Sequence, residues 1–275
     1  MKALFLGDVV GRSGRLAVGR HLPDLIAELS PDFVLANGEN AAGGFGITAK
    51  TARELFETGI DVITLGNHAF DQPEAIGLVA REPALLRPAN YPPYAGIPGK
   101  GTYLHIGPDG RRVLVITVMG RVYMDALDDP FAVVAQELEA CALVQEADMI
   151  VVEIHGEATS EKGAMGHFCD GRASVVFGTH THIPTADARI LEGGTAFMTD
   201  LGMCGDYGGV IGMDKEEPVR RFTSRLRGSR FVPADGIATV SGLFVETDDT
   251  TGLAVSCTPI RVGGCLTPSL PNLEP

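Results

Sequence analysis

The chain has 275 residues, 45% of them hydrophobic, and a formal net charge of −13. That is enough apolar material for one large core, and the acidic balance argues against a protein that coats nucleic acid through a broad basic face. No apolar run approaches the roughly 18 residues of a membrane helix, so no membrane partner is expected. The N-terminal run is short and interrupted by Asp8, and reads as a first core strand rather than a signal peptide. Five scattered cysteines with no Cys-x-x-Cys point to reduced thiols and a cytoplasmic protein. No linker or repeat divides the chain, so residues 1–275 are read as one domain.

In chain order, Ala3 to Leu6 reads as a buried strand with Gly7-Asp8 at its end. Gly11-Arg12-Ser13-Gly14 is expected as a turn before a helix from Leu16 to about Leu29. Such a turn can cradle a phosphate with its N–H groups, or it can be a plain connection; it is not a Walker loop, because Gly-Lys-Ser/Thr is missing. Phe33 to Ala36 is a second strand. It runs into Asn37-Gly38-Glu39-Asn40 and a glycine-rich loop, where adjacent carboxylate and amide suit a hard cation; a solvated turn is the alternative. Thr48 is placed to cap a helix through Thr58. The strand after Gly59 ends in Gly66-Asn67-His68.

Another helix is expected from Gln72-Pro73, and the Pro-rich stretch 83–98 reads as irregular. Thr102–Ile106 and Arg112–Val118 flank Gly107-Pro-Asp-Gly110, a hairpin signal. A helix over Pro130–Gln145 precedes a strand over Met149–Ile154, which ends in His155-Gly156-Glu157. A strand over Ser174–Phe177 ends in Gly178-Thr179-His180-Thr181-His182. Alternating strands and helices imply a largely parallel sheet, with its strand ends along one edge. The short C-terminal strands (189–191, 195–199, 237–246, 253–261) suggest an antiparallel addition, or a second sheet packed on the first. Between them lie the glycine-rich stretch 201–209 and a polar helix carrying Arg220, Arg221, Arg225, Arg227 and Arg230. Those arginines suit a phosphorylated ligand or RNA, or a solvated face paired with Asp214, Glu216 and Glu217.

Of seven histidines, His68, His155, His180 and His182 fall at strand ends; His21, His105 and His167 do not. With Asp8, Glu39, Asn40 and Asn67 they form a mixed nitrogen and oxygen set without cysteine. Asp8, Glu39, Asn40, Asn67, His155, His180 and His182 are too many for one tetrahedral site, and suit two ions of Fe, Mn or Zn. Two ions would clamp a phosphoryl group and lower the pKa of a bridging water that attacks phosphorus in line. His68, one residue beyond a ligand, is the general acid in this scheme, with Asp71 to orient it. Cys204 has no evident activating partner and reads as a bystander.

These motifs, in this order, resemble the calcineurin-like metallophosphoesterases. The finer likeness is to their YmdB-like branch, a set of bacterial phosphodiesterases. It rests on Gly7-Asp8-Val-Val-Gly11, Asn37-Gly38-Glu39-Asn40-Ala-Ala-Gly-Gly44, His155-Gly-Glu-Ala-Thr-Ser-Glu-Lys162 and Thr199-Asp-Leu-Gly-Met-Cys-Gly205. Two positions depart from the wider superfamily, Val10 in place of a histidine and Glu39-Asn40 in place of the bridging Gly-Asp; both are features of the YmdB-like branch. The resemblance implies a four-layer αββα sandwich, an α/β fold with two mixed central sheets. It implies one metal held by Asp8, Glu39, Asn40 and His182, and a second by Glu39, Asn67, His155 and His180. It also implies hydrolysis of small phosphodiesters, with 2′,3′-cyclic nucleotides as substrates, in a homo-oligomer. Two rival readings share the metals: a regulatory or RNA-binding module with incidental hydrolysis, and a phosphomonoesterase.

Overall fold

The structure is a computed structural model that describes residues 1–226 and 228–271. The chain opens with β1 (Lys2–Leu6), a two-residue β2 (Asp8–Val9), α1 (Gly11–Leu29), β3 (Phe33–Asn37), α2 (Ala49–Glu57), β4 (Val62–Thr64), α3 (Ala75–Val79) and β5 (Leu85–Leu86). A hairpin of β6 (Thr102–Ile106) and β7 (Arg112–Met119) follows, then α4 (Pro130–Ala140), β8 (Met149–His155), α5 (Thr159–Cys169) and β9 (Val175–Thr179). The rest comprises β10 (Arg189–Ile190), β11 (Ala196–Met198), β12 (Met203–Cys204), α6 (Glu216–Ser224), β13 (Thr239–Thr247) and β14 (Ala254–Gly263).

Two six-stranded mixed sheets result, ordered β14-β13-β1-β3-β4-β5 and β10-β11-β9-β8-β7-β6. Side chains alternate between the two faces of a strand, so each sheet feeds two cores. Leu4, Leu6, Val34 and Ala36 face Val18, Leu22, Leu25 and Leu55 of α1 and α2. Their neighbours Ala3, Phe5, Phe33 and Leu35 face the other way, onto Val113, Val151, Val175 and Phe177 of the second sheet. Behind that sheet, Ile150, Val152 and Ile154 pack on Val134 and Leu138 of α4 and Met165 of α5. The layers are therefore helix, sheet, sheet, helix. Strands buried on both faces explain the unbroken apolar runs in the sequence. Within the first sheet β1, β3 and β4 are parallel, and within the second β7, β8 and β9 are parallel. Their C-terminal ends supply the candidate residues. No helix among the described residues is long and apolar enough to cross a membrane.

Thr48 caps α2 through a reciprocal pair of bonds with Thr51, and the 102–118 hairpin forms in antiparallel register. Other expectations need correction. Gly11–Gly14 is the first turn of α1, not a turn before it. Three of the N–H groups in this stretch are bonded within the protein: Val10 N donates to Cys204 O, Gly11 N to Asn40 O and Gly14 N to Val10 O. The 130–145 helix stops at Ala140, because Arg112 draws the carbonyls of Val144 and Gln145 toward the start of β7. Helix α5 has no counterpart in the sequence reading. Of the two readings of the C-terminal strands, the antiparallel addition holds for β13 and β14, which extend the first sheet beside β1, while β11 departs from it by adding to β9 in parallel.

The inter-sheet layer is expected to dominate stability. Phe177 packs on Phe5 with ring centroids 5.1 Å apart, and both rings are fully buried. Phe177→Ala is expected to lower unfolding free energy by about 3–5 kcal/mol, measured by guanidinium titration.

Candidate metal centre

Each candidate residue sits where a strand stops. Asp8 follows β1, Glu39 and Asn40 follow β3, Asn67 and His68 follow β4, His155 ends β8, and His180 and His182 follow β9. All eight meet at one edge of the sandwich. The tightest part surrounds His155 Nε2, which lies 2.9 Å from Asn67 Oδ1, 3.0 Å from Glu39 Oε1 and 3.1 Å from His180 Nδ1. Gly66 permits this approach, since a Cβ there would fall 2.2 Å from the His155 ring. The second group is looser: Asp8 Oδ1 lies 4.0 Å from His182 Nε2, and Asp8 Oδ2 accepts from His180 N at 3.2 Å.

The hydrogen bonds around the cluster decide which atoms face it. His155 Nδ1 donates to Thr179 Oγ1 at 2.9 Å, and that hydroxyl donates to Glu153 Oε1 at 2.7 Å. His182 Nδ1 donates to Ile211 O at 2.8 Å. His180 Nε2 lies 3.3 Å from Glu157 Oε2. Each imidazole thus has one nitrogen occupied outside the cluster and presents the other to its centre, the arrangement that orients histidine toward a metal. Asp8 Oδ1 and Asn40 Oδ1 are buried with no hydrogen-bond partner among the described residues. Asn40 Nδ2 is tied to Gly44 O at 3.0 Å, which turns the amide oxygen the other way. One imidazole proton cannot satisfy three acceptors about 3 Å away; a cation can. The unpartnered oxygens, the converging imidazole nitrogens and the mixed donor set all fit a divalent ion. Glu39, His155 and His180 alone form a group able to hold one.

Electrostatics agree. Burial alone would depress the His155 pKa, but Glu39 and Asp8 outweigh it and hold it up at about 9. Burial and the adjacent His155 push His180 down to about 3. Burial raises Asp8 to about 6. Glu39, against its own burial, is drawn down by His155 and His68. The His155 cation therefore occupies the place of a positive charge in the metal-free chain.

His68 is set beside this group. Its N–H donates to Glu39 Oε2 at 2.9 Å, its Nδ1 lies 2.7 Å from Asp71 Oδ2, and its ring meets Phe45 edge-on. His68, Glu39, His180 and His182 line a cavity of about 520 Å³. The rest of its lining is largely apolar and includes Phe45, Ile211, Met213, Pro218, Phe222 and Phe231. Phe222 is 85% exposed, an aromatic ring held at the mouth by no core.

Arg220 and Arg221 lie on α6, Arg225 caps it in a left-handed conformation, Arg230 follows in a loop, and Arg227 lies outside the described residues. Arg221 pairs with Glu217 at 2.7 Å and stacks 3.8 Å over Phe231. Cys204 is buried against Ser241 O, with its thiol pushed up to about 12 by burial. Sequence reasoning missed Glu153 and Thr179; the signal was a lone carboxylate inside the apolar run 149–154. It also missed the apolar lining, whose residues are scattered over three loops and a helix.

A four-layer sandwich with this donor set at its strand ends defines a calcineurin-like metallophosphoesterase, a hydrolase. A family model described as "YmdB-like protein" matches residues 4–260. The Bacillus subtilis (strain 168) protein named 2′,3′-cyclic-nucleotide 2′-phosphodiesterase is 45% identical over 266 residues, spanning 95% of this chain and 97% of its own. A solved hypothetical protein from Thermus thermophilus shares 43% identity at a TM-score of 0.88, covering 96% of this chain and all of its own. A structure described as a novel phosphatase from Mycoplasma pneumoniae shares 32% identity at a TM-score of 0.88, covering 96% of this chain and 93% of its own. The chain belongs to the YmdB-like family.

A raised folded-state pKa means that His155 contributes stability that is complete below about pH 6.5 and is lost as pH rises through about 9. In metal-free protein its imidazole ¹⁵N shifts are expected to report a cation at neutral pH. Unfolding free energy is expected to decline toward alkaline pH, and His155→Gln to flatten that decline.

Proposed function

We propose that the chain is a two-metal phosphodiesterase that hydrolyses 2′,3′-cyclic nucleotides. The observation that carries this reading is the joint edge where imidazole nitrogens crowd together with carboxylate and amide oxygens, two of them buried without a partner, beside a cavity with a largely apolar lining. Asp8, Glu39, Asn40 and His182 are assigned to one ion, and Glu39, Asn67, His155 and His180 to the other. Iron or manganese suits such a set. Ions held there supply positive charge to the phosphoryl oxygens and make water a better nucleophile.

The remaining steps fall to the chain's own side chains. Asp71 accepts a hydrogen bond from Nδ1 of His68 and fixes the orientation of its ring. Nε2 is left to protonate the departing ribose oxygen. Glu39 accepts the His68 N–H, so the candidate bridging carboxylate and the acid move as one unit. Phe222, Phe231 and Phe45 offer the base a stacking surface, worth about 1–3 kcal/mol per base and tolerant of its identity. The cavity volume lies within the usual range for small-molecule sites, about 300–1,000 Å³. The name of the Bacillus subtilis relative supports the substrate. Pairing of Arg221 with Glu217 weighs against the RNA-binding alternative.

Metal content and hydrolysis of 2′,3′-cyclic AMP, measured beside a phosphomonoester, test this reading. About two ions per chain, with the cyclic diester cleaved faster, are expected for a two-metal phosphodiesterase; a faster monoester would replace it with the phosphatase reading. His68→Ala is expected to cut kcat on the cyclic nucleotide by about 10²–10⁴-fold. The same variant should affect bis-p-nitrophenyl phosphate far less, because a phenolate leaves without a proton. Equal losses on both substrates would remove His68 as the acid. Phe222→Ala is expected to raise KM for the nucleotide by about tenfold, the lower end of one stacking contact, and to leave kcat nearly intact.

A further inference from the structure

Two stretches that stand out in the sequence, His155–Lys162 and Thr199–Gly205, give the donor cluster only His155. The fold joins their remaining members. Lys162 Nζ lies 2.7 Å from Asp200 Oδ2, and both side chains are buried. The same oxygen accepts from Thr181 Oγ1 at 2.7 Å and from Thr181 N at 3.1 Å. The other carboxylate oxygen accepts from Gly202 N at 2.8 Å. Asp200 is itself anchored, because its N–H donates to Thr185 Oγ1 at 3.0 Å and its carbonyl accepts from Thr185 N at 3.1 Å.

Thr181 stands between His180 and His182, and both histidines hold left-handed backbone, with φ +96° and +64°. Side chains beyond glycine rarely adopt such angles, and they persist only where the surroundings over-determine them. Asp200 supplies that constraint by gripping the one residue between them through two donors. Space for the lysine is built into β9: a Cβ on Gly178 would sit 2.6 Å from Lys162 Cδ. A buried ion pair adds little net stability compared with an apolar pair of the same volume, so stability alone does not account for this one.

We propose that Lys162 and Asp200 form a buried clamp that acts through Thr181 and holds the His180-Thr181-His182 turn in the conformation that presents both imidazoles to the metal centre. Lys162, Asp200 and Thr181 are positioning residues. The inference rests on the metal reading above and adds to it the element that preorganises two of the donors.

The gentlest test is Thr181→Val, which removes the hydroxyl and keeps the volume. Affinity of the metal-free protein for Mn²⁺, measured by competition with a chelating indicator, is expected to fall about tenfold or more, as for other partners that orient metal-ligating groups. Its Tm without metal should move little, and Thr181→Ser should restore affinity. Lys162→Met leaves a buried carboxylate unpaired and is expected to destabilise the chain. Adding Asp200→Asn should restore stability and leave Mn²⁺ affinity low. Wild-type affinity in Thr181→Val, or recovery of affinity together with stability in the double variant, would overturn the clamp. A wild-type chain that takes up no Mn²⁺ would overturn the metal reading and the clamp with it.

Discussion

A single buried carboxylate oxygen ties the two sheets together beneath the site. Glu153 Oε1, on β8, accepts from Asn37 Nδ2 at the end of β3 and from Thr179 Oγ1 at the end of β9. Asn37 in turn accepts the N–H of Glu39, and Thr179 accepts the Nδ1 proton of His155. The loop that carries Glu39 and the ring of His155 therefore share one anchor, although they belong to different sheets. In a low-dielectric interior such linked bonds are stronger than in water, and an unmet partner is correspondingly costly. This chain of bonds adds to the close packing of the inner faces and fixes the Glu39 loop against the His155 ring.

Charge is distributed with the same economy. The chain is acidic overall, and its site concentrates buried carboxylate, with Asp8 and Glu39 both shielded from solvent. The His155 cation balances Glu39 and Asp8 in the metal-free chain, which makes the cluster a place that already holds positive charge. The same cavity is lined by the uncharged Phe45, Ile211, Met213, Phe222 and Phe231. Charged donors and apolar side chains thus share one cavity, with Phe45 packed directly on His68.

Strand ends are legible in the sequence because burial on both faces writes continuous apolar runs, and each run stops at a polar residue that cannot enter the core. Asp8, Glu39, Asn67, His155 and His180 all lie at such stops. Elements set by tertiary contacts are not legible. Helix α5 follows a strand end rich in small and polar residues, and its packing on β9 rather than its local pattern makes it helical. The allegiance of β11 and β13 depends on partners far away in the chain, which periodicity does not encode. Glu153 is visible as a charge in an apolar strand, yet its purpose requires Asn37 and Thr179 in space. Lys162 and Asp200 lie in recognisable stretches, but only the fold shows that they meet.

The apolar lining comes mainly from one excursion of the chain, residues 210–231, which leaves after β12 and returns before β13. It touches the donor set through few points, chiefly the Ile211 carbonyl on His182. Both of its ends are fixed on the sandwich, where β12 pairs with β2 and Ala234 O accepts from Ser13 Oγ. The Ile211 carbonyl that turns the His182 ring belongs to this excursion, so the stretch that supplies apolar lining to the cavity also orients one of the strand-end donors.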